Sequence, residues 1–349
     1  MTPYVTEFKS SLNNANVTCQ NNTLLCDAAK PILLMMKIFG VYFYEPGRVD
    51  LPYNGEERVS KRKPKIDYVK WYCVCLTVLS GLNVVRYIPS FWVGVDFVPN
   101  LTVSRIVMIS WIIQCFLNRL LLLRACWLRS HLTEYFKIFD KVMMDTCCMN
   151  IKPCSNKSRK YSIFFVIVTW LIIVLNVGAS IYHVITHADP GYLVTLCNPF
   201  PGKSVAVQIF FVVFHGIELG AWVSPVTFQV ALYKILSDQF SSVSNVLCKM
   251  TKDEGRNVWQ KMKDIRLKHL QLCKAMDILE QDTKYLIAGN YVTNIFLICF
   301  IVYQMVASNS AISVLGYITF STWLVMNFSI MASVAITAAQ VNEEVRYRN

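Results

Sequence analysis

Three stripes of polar side chains run through otherwise apolar stretches of this chain. Thr169, Asn176, Ser180, His183 and His187 recur at steps of seven, four, three and four. Gln208, His215, Trp222 and Gln229 recur every seven residues, with Glu218 on the same side. Ser110, Gln114 and Asn118 recur every four. Such steps put each set on one face of a helix. Imidazoles, amides and a single carboxylate at this spacing can hold a small molecule through hydrogen bonds and charge. They are not arranged for bond-breaking chemistry. There is no Gly-x-Ser-x-Gly elbow, no phosphate-cradling glycine loop and no His-Glu-x-x-His pair. His215 and Glu218 alone do not make a metal site. The expectation is therefore no catalytic residue, no metal and no cofactor.

The stripes have meaning only through the elements that carry them. Six apolar runs are long enough to cross a bilayer, which takes about 20 residues each. They cover about residues 71–95, 104–128, 161–186, 205–233, 285–307 and 311–337. Unpaired backbone groups are not tolerated in lipid, so these are helices. The fold class is all-α, a polytopic membrane helix bundle of six transmembrane helices with long cytoplasmic helical extensions. Residues 1–70 form an N-terminal cytoplasmic segment and 338–349 a cytoplasmic tail. The run Pro31–Tyr44 is too short to span and contains Lys37, which makes it an interfacial or buried helix beneath the bundle.

The cations set the orientation. Residues 1–70, 129–160, 234–284 and 338–349 hold 10, 7, 10 and 2 Lys/Arg, against 0, 1 and 0 in the three intervening loops. Cytoplasmic loops retain Lys and Arg, so both termini face the cytosol. The net charge of +12 in a chain that is 54% hydrophobic thus belongs to lipid-facing loops, and nucleic-acid binding is excluded. The sequons at Asn16 and Asn21 argue the other way, for an outside N-terminus. The 234–284 loop has helical periodicity, with Met262, Ile265, Leu272, Met276 and Leu279 on one face and Lys261, Lys263, Arg266, Lys268 and Lys274 between them.

In this orientation His183, Gln208 and Gln114 lie toward the outside, and His215 and Glu218 near the middle. A polar group in a span faces the protein interior or a wet cavity. The stripes point to an outward-opening pocket between the second, third and fourth spans, for a small external molecule. Trp111, Tyr182, Tyr303, Tyr317 and Trp323 supply aromatic walls. The candidate ligand-binding set is Trp111, Gln114, Asn176, Ser180, Tyr182, His183, Gln208, His215, Glu218, Tyr303, Tyr317 and Trp323. Each of these residues can equally serve helix packing. Glu218 needs a partner, and Arg86 and Arg119 are in reach as a structural ion pair.

Three segments carry a family likeness. Pro31-Ile-Leu-Leu-Met-Met-Lys-Ile-Phe-Gly40 resembles the pre-span segment of the invertebrate gustatory receptors, in the insect-type chemoreceptor superfamily of inverted topology. Arg266-Leu-Lys-His-Leu-Gln-Leu-Cys273 resembles that family's segment before the fifth span. Ala338-Ala-Gln-Val-Asn-Glu-Glu344 resembles the one after the sixth. The resemblance implies a plasma-membrane taste receptor, a subunit of a ligand-gated non-selective cation channel. It would bind a tastant-like small molecule and assemble as a homo- or hetero-tetramer with related receptors. The family's seventh span, which lines the pore, has no counterpart before Asn349. The alternative readings are a G-protein-coupled receptor, which lacks its Asp/Glu-Arg-Tyr here, or a small-solute transporter using Glu218.

Overall fold

The computed structural model describes residues 24–42, 68–91, 99–126, 135–136, 138–139, 155–186, 205–250, 258–307 and 314–346. They form α1 (Leu24–Ile38), α2 (Tyr68–Tyr87) followed by a 3-10 turn (Ile88–Phe91), α3 (Pro99–Arg124) and α4 (Ser155–Thr186). Then come α5 (Val205–Met250), α6 (Val258–Ala307) and α7 (Val314–Arg346). No strand occurs among the described residues. Helices α2 to α7 are each long and apolar enough to cross a membrane, and they are the six spans expected from the sequence. The N-terminal residues 1–23 with Asn16 and Asn21, the loops flanking the spans, and His187 lie outside the described residues.

α5 is the hub. It packs against α1, α3, α4, α6 and α7, and every residue from 219 to 233 is buried. A helix that is apolar all round has to be surrounded. Pro225 sits inside it and removes the N–H that would bond the carbonyl of Ala221. Neighbouring helices hold the segment in place: Thr227 bonds the Val223 carbonyl at 3.0 Å and meets the Thr169 hydroxyl of α4 at 2.8 Å.

α5 and α6 continue well beyond their membrane segments, and their extensions pack on each other. Leu236, Phe240 and Val243 of α5 and Ile265, Leu272, Ala275 and Leu279 of α6 are buried. The expected apolar face needs two corrections. Met262 is exposed, and Lys268 is buried. Lys268 lies three residues after Ile265 and four before Leu272, so helical geometry gives it their face, where its methylene stem can pack. The next residue, His269, contacts the Cys273 sulfur at 3.7 Å and meets the Phe240 ring edge-on at 5.5 Å. Burial, and then the Asp277 carboxylate, push the Cys273 thiol up, which keeps it protonated and unreactive at neutral pH. α7 runs past residue 337 to Arg346 without a break.

α1 is buried against α4 and α5, with the Phe39 ring 5.3 Å from that of Trp170. The helix stops in a Schellman motif. Gly40 adopts φ +67°, its N–H bonds the Lys37 carbonyl at 3.1 Å, and the Val41 N–H bonds the Met36 carbonyl at 3.0 Å. A side chain at Gly40 would also run into Leu76 of α2. The Tyr72 hydroxyl donates to the Ile38 carbonyl at 2.7 Å, tying α2 to the same turn. α1 enters the bundle because almost a full face of it is apolar, with Ile32, Met35, Met36 and Phe39 at most 4% exposed.

Candidate ligand-binding site

The carboxylate of Glu218 is the electrostatic centre of the bundle. Its Oε2 lies 3.9 Å from Nη2 of Arg119 and accepts a hydrogen bond from the Ser80 hydroxyl at 3.2 Å. Arg119 in turn donates to the carbonyls of Leu76 and Ile217, each at 3.0 Å. One guanidinium thus joins α2, α3 and α5. Both charged side chains are essentially without exposure. Of the two cations in reach by sequence, Arg119 is the partner. Arg86 instead lies over the Phe211 ring, 4.1 Å from its centre.

Beside this pair is a cavity lined by Asn83, Arg86, Met108, Trp111, Phe211 and His215 among others, with Glu218 at one end. The space between these side chains admits something the size of water and little more. His215 is buried against it, and neither ring nitrogen has a hydrogen-bond partner among the described residues. The Trp111 ring stands 4.8 Å from the imidazole. A buried imidazole without a partner is unusual, since burial of a polar group is normally matched by a hydrogen bond.

The sequence-predicted residues form two neighbouring groups and several that stand apart. Trp111, His215 and Glu218 share this cavity, as does span one through Asn83 and Arg86, which the polar-stripe reading left out. Asn176, Ser180 and Trp323 form a helix-joining set nearby. The Trp323 indole N–H donates to Asn176 Oδ1 at 2.8 Å, Asn176 donates to the Ile172 carbonyl at 2.9 Å, and Ser180 to the Asn176 carbonyl at 3.0 Å. Trp111 bridges the two groups, its ring 6.5 Å from that of Trp323. Gln208 is buried on α5. Gln114 turns away to α6, where its amide donates to Asn290 Oδ1 at 2.9 Å and Asn294 Oδ1 at 3.4 Å.

The remaining aromatics do not wall the cavity. Tyr182 and Tyr303 are half exposed on the outer surface of the bundle, and Tyr317 is exposed with its hydroxyl on the Met305 carbonyl at 3.4 Å. The His183 side chain lies outside the described residues. Asn290 and Asn294 had a signal, a four-residue polar step within the fifth span.

No curated protein sequence matches this chain. Among solved structures, the insect olfactory receptor OR5 from Machilis hrabei superposes with a TM-score of 0.59 at 13% identity, covering 90% of this chain and 79% of that one. The structure of the same receptor in complex with eugenol gives 0.60 at 14% identity, covering 90% and 80%. At such low identity the likeness is one of fold. Residues 29–347 match the sequence profile of the family described as 7tm Chemosensory receptor. That match runs across nearly the whole chain, and the chain belongs to the 7tm chemosensory receptor family.

Proposed function

We propose that this receptor is of the gustatory type. It would act as a subunit of a ligand-gated, non-selective cation channel in the plasma membrane, with both termini cytosolic, assembling as a tetramer of like or related subunits. A small external molecule would enter the cavity beside Arg119–Glu218, and its binding would favour one arrangement of the bundle. His215 carries the reading: a buried imidazole with no partner among the described residues is a place kept for a polar group. Trp111 and Phe211 favour a ligand with a flat apolar part, and His215 one with a hydroxyl or amide to bond. Because the space is tight, entry displaces side chains such as Met108 or Phe214. Eugenol bound to OR5 of Machilis hrabei supports a small-molecule ligand.

The test is expression with a full-length related receptor and recording of current while small molecules are screened. For a ligand found in this way, His215→Phe is expected to raise the half-maximal concentration about tenfold, the equivalent of one lost hydrogen bond of about 1.4 kcal/mol. An unchanged dose–response would remove His215 from the site. No current for any ligand or partner would count against the channel reading itself.

The sequons at Asn16 and Asn21 favour a second reading, an N-outside G-protein-coupled receptor. Cation distribution opposes it. Glycosidase treatment of protein from intact cells is expected to leave the band at Asn16 and Asn21 unshifted. A shift abolished by Asn16→Gln with Asn21→Gln would invert the topology.

A further inference from the structure

A second cavity lies where α5, α6 and α7 meet. It is lined by Gln229 of α5, Asn290, Tyr291 and Asn294 of α6, and Ile330 and Met331 of α7, among others. Gln229 follows Glu218 by eleven residues, which is about 16 Å along a helix axis, so this is not the cavity beside His215. Gln229, Asn290 and Asn294 are each at most 5% exposed. Gln114 caps the cluster from α3 by donating to both asparagine oxygens.

These amides do not satisfy one another. Asn290 Nδ2, Asn294 Nδ2, Gln114 Oε1 and both amide atoms of Gln229 have no partner among the described residues. Exchanging amide oxygen and nitrogen does not change this for Gln229, because neither end is bonded. Several unpaired buried donors and acceptors in one place would be expensive in a dry membrane interior. A molecule that both donates and accepts would relieve them. The space between the side chains admits something the size of water and little more. No carboxylate lines it, and its unpaired nitrogens outnumber what a cation would accept.

We propose that the amide cluster Gln114–Gln229–Asn290–Asn294 is an internal water-binding site that joins α3, α5, α6 and α7 through bridging water. A bridging water can re-form its bonds as these helices shift, whereas direct amide pairs hold one spacing. The Tyr291 hydroxyl, which donates to the Met331 carbonyl at 2.8 Å, closes the α6–α7 side.

Met331 reports on the site. X-ray hydroxyl-radical footprinting of the full chain in lipid nanodiscs, read by mass spectrometry, compares it with Met326. Met326 lies on the same helix, is 8% exposed and does not line the cavity. Met331 is itself more exposed than Met326, so the decisive reading is how far its rate falls relative to Met326 when the site is altered. With resident water supplying the radicals, that fall is expected to be several-fold. The paired variant Gln229→Leu with Asn294→Leu is expected to bring the two rates closer. Should that pair not give monodisperse protein, Gln229→Met alone is expected to slow Met331 oxidation in the same direction. Equal rates in the unaltered chain, or a Met331 rate indifferent to a folded variant, would overturn the proposal. The readout needs no ligand and no current, so it stands or falls apart from the receptor's stimulus.

Discussion

Glu218→Leu is expected to destabilise this receptor by about 3–5 kcal/mol, the usual consequence of leaving one member of a buried ion pair uncompensated. The variant strands the Arg119 guanidinium, which has no exposure and cannot shed its proton at any ordinary pH. Arg119→Met is expected to do less harm. A carboxyl can take up a proton, and the Ser80 hydroxyl still bonds it. The carbonyls of Leu76 and Ile217 belong to helices α2 and α5 and keep their intrahelical partners. The double variant should recover most of the loss, since apolar residues of similar volume often replace a buried pair without penalty. Heating detergent-solubilised protein and measuring the monodisperse fraction by fluorescence-detected gel filtration distinguishes the three. If Glu218→Leu melts with the unaltered receptor, the pair does not hold α2, α3 and α5 together.

Gly220→Ala is the second large effect, and it runs against helix propensity. In an open helix the change would stabilise by about 1 kcal/mol. Here the new methyl group would overlap the Phe39 ring, which cannot easily swing away because Trp170 stands on its other contact surface. Overpacking of this kind typically costs about 1–3 kcal/mol. The expected result is a lowered melting temperature, largely restored when Phe39→Leu is added. Additive rather than compensating effects would show that the two sites do not touch. Because Phe39 ends α1, this cycle also measures how much the docking of α1 contributes to the bundle.

The pattern of expectations that held and moved has a physical reason. Span number followed from length and hydropathy, because bilayer thickness sets a minimum apolar run that any sequence must display. The extended α5 and α6 were legible in the helical periodicity of residues 234–284. Lys268 was misplaced only because its charge was weighed above its register. In the site, His215, Glu218 and Trp111 were found because polar and large aromatic residues in spans stand out. Ser80 and Asn83 were not, although Thr77, Ser80, Asn83 and Arg86 recur every three residues along span one, and Arg86 was read only as a possible partner of Glu218.

By itself, then, the sequence determined the helices, their number and the face each polar residue takes. Those depend on contacts within about a turn and on the apolar length that lipid demands. Only the tertiary structure decided which faces meet. It gave Arg119 rather than Arg86 to Glu218, carried Gln114 to Asn290 and Asn294, put Trp323 on Asn176 and turned Tyr182 and Tyr303 outward. A helix's rotation about its own axis is set by packing against several neighbours at once, Phe39 against Gly220 among them, and no single segment encodes it.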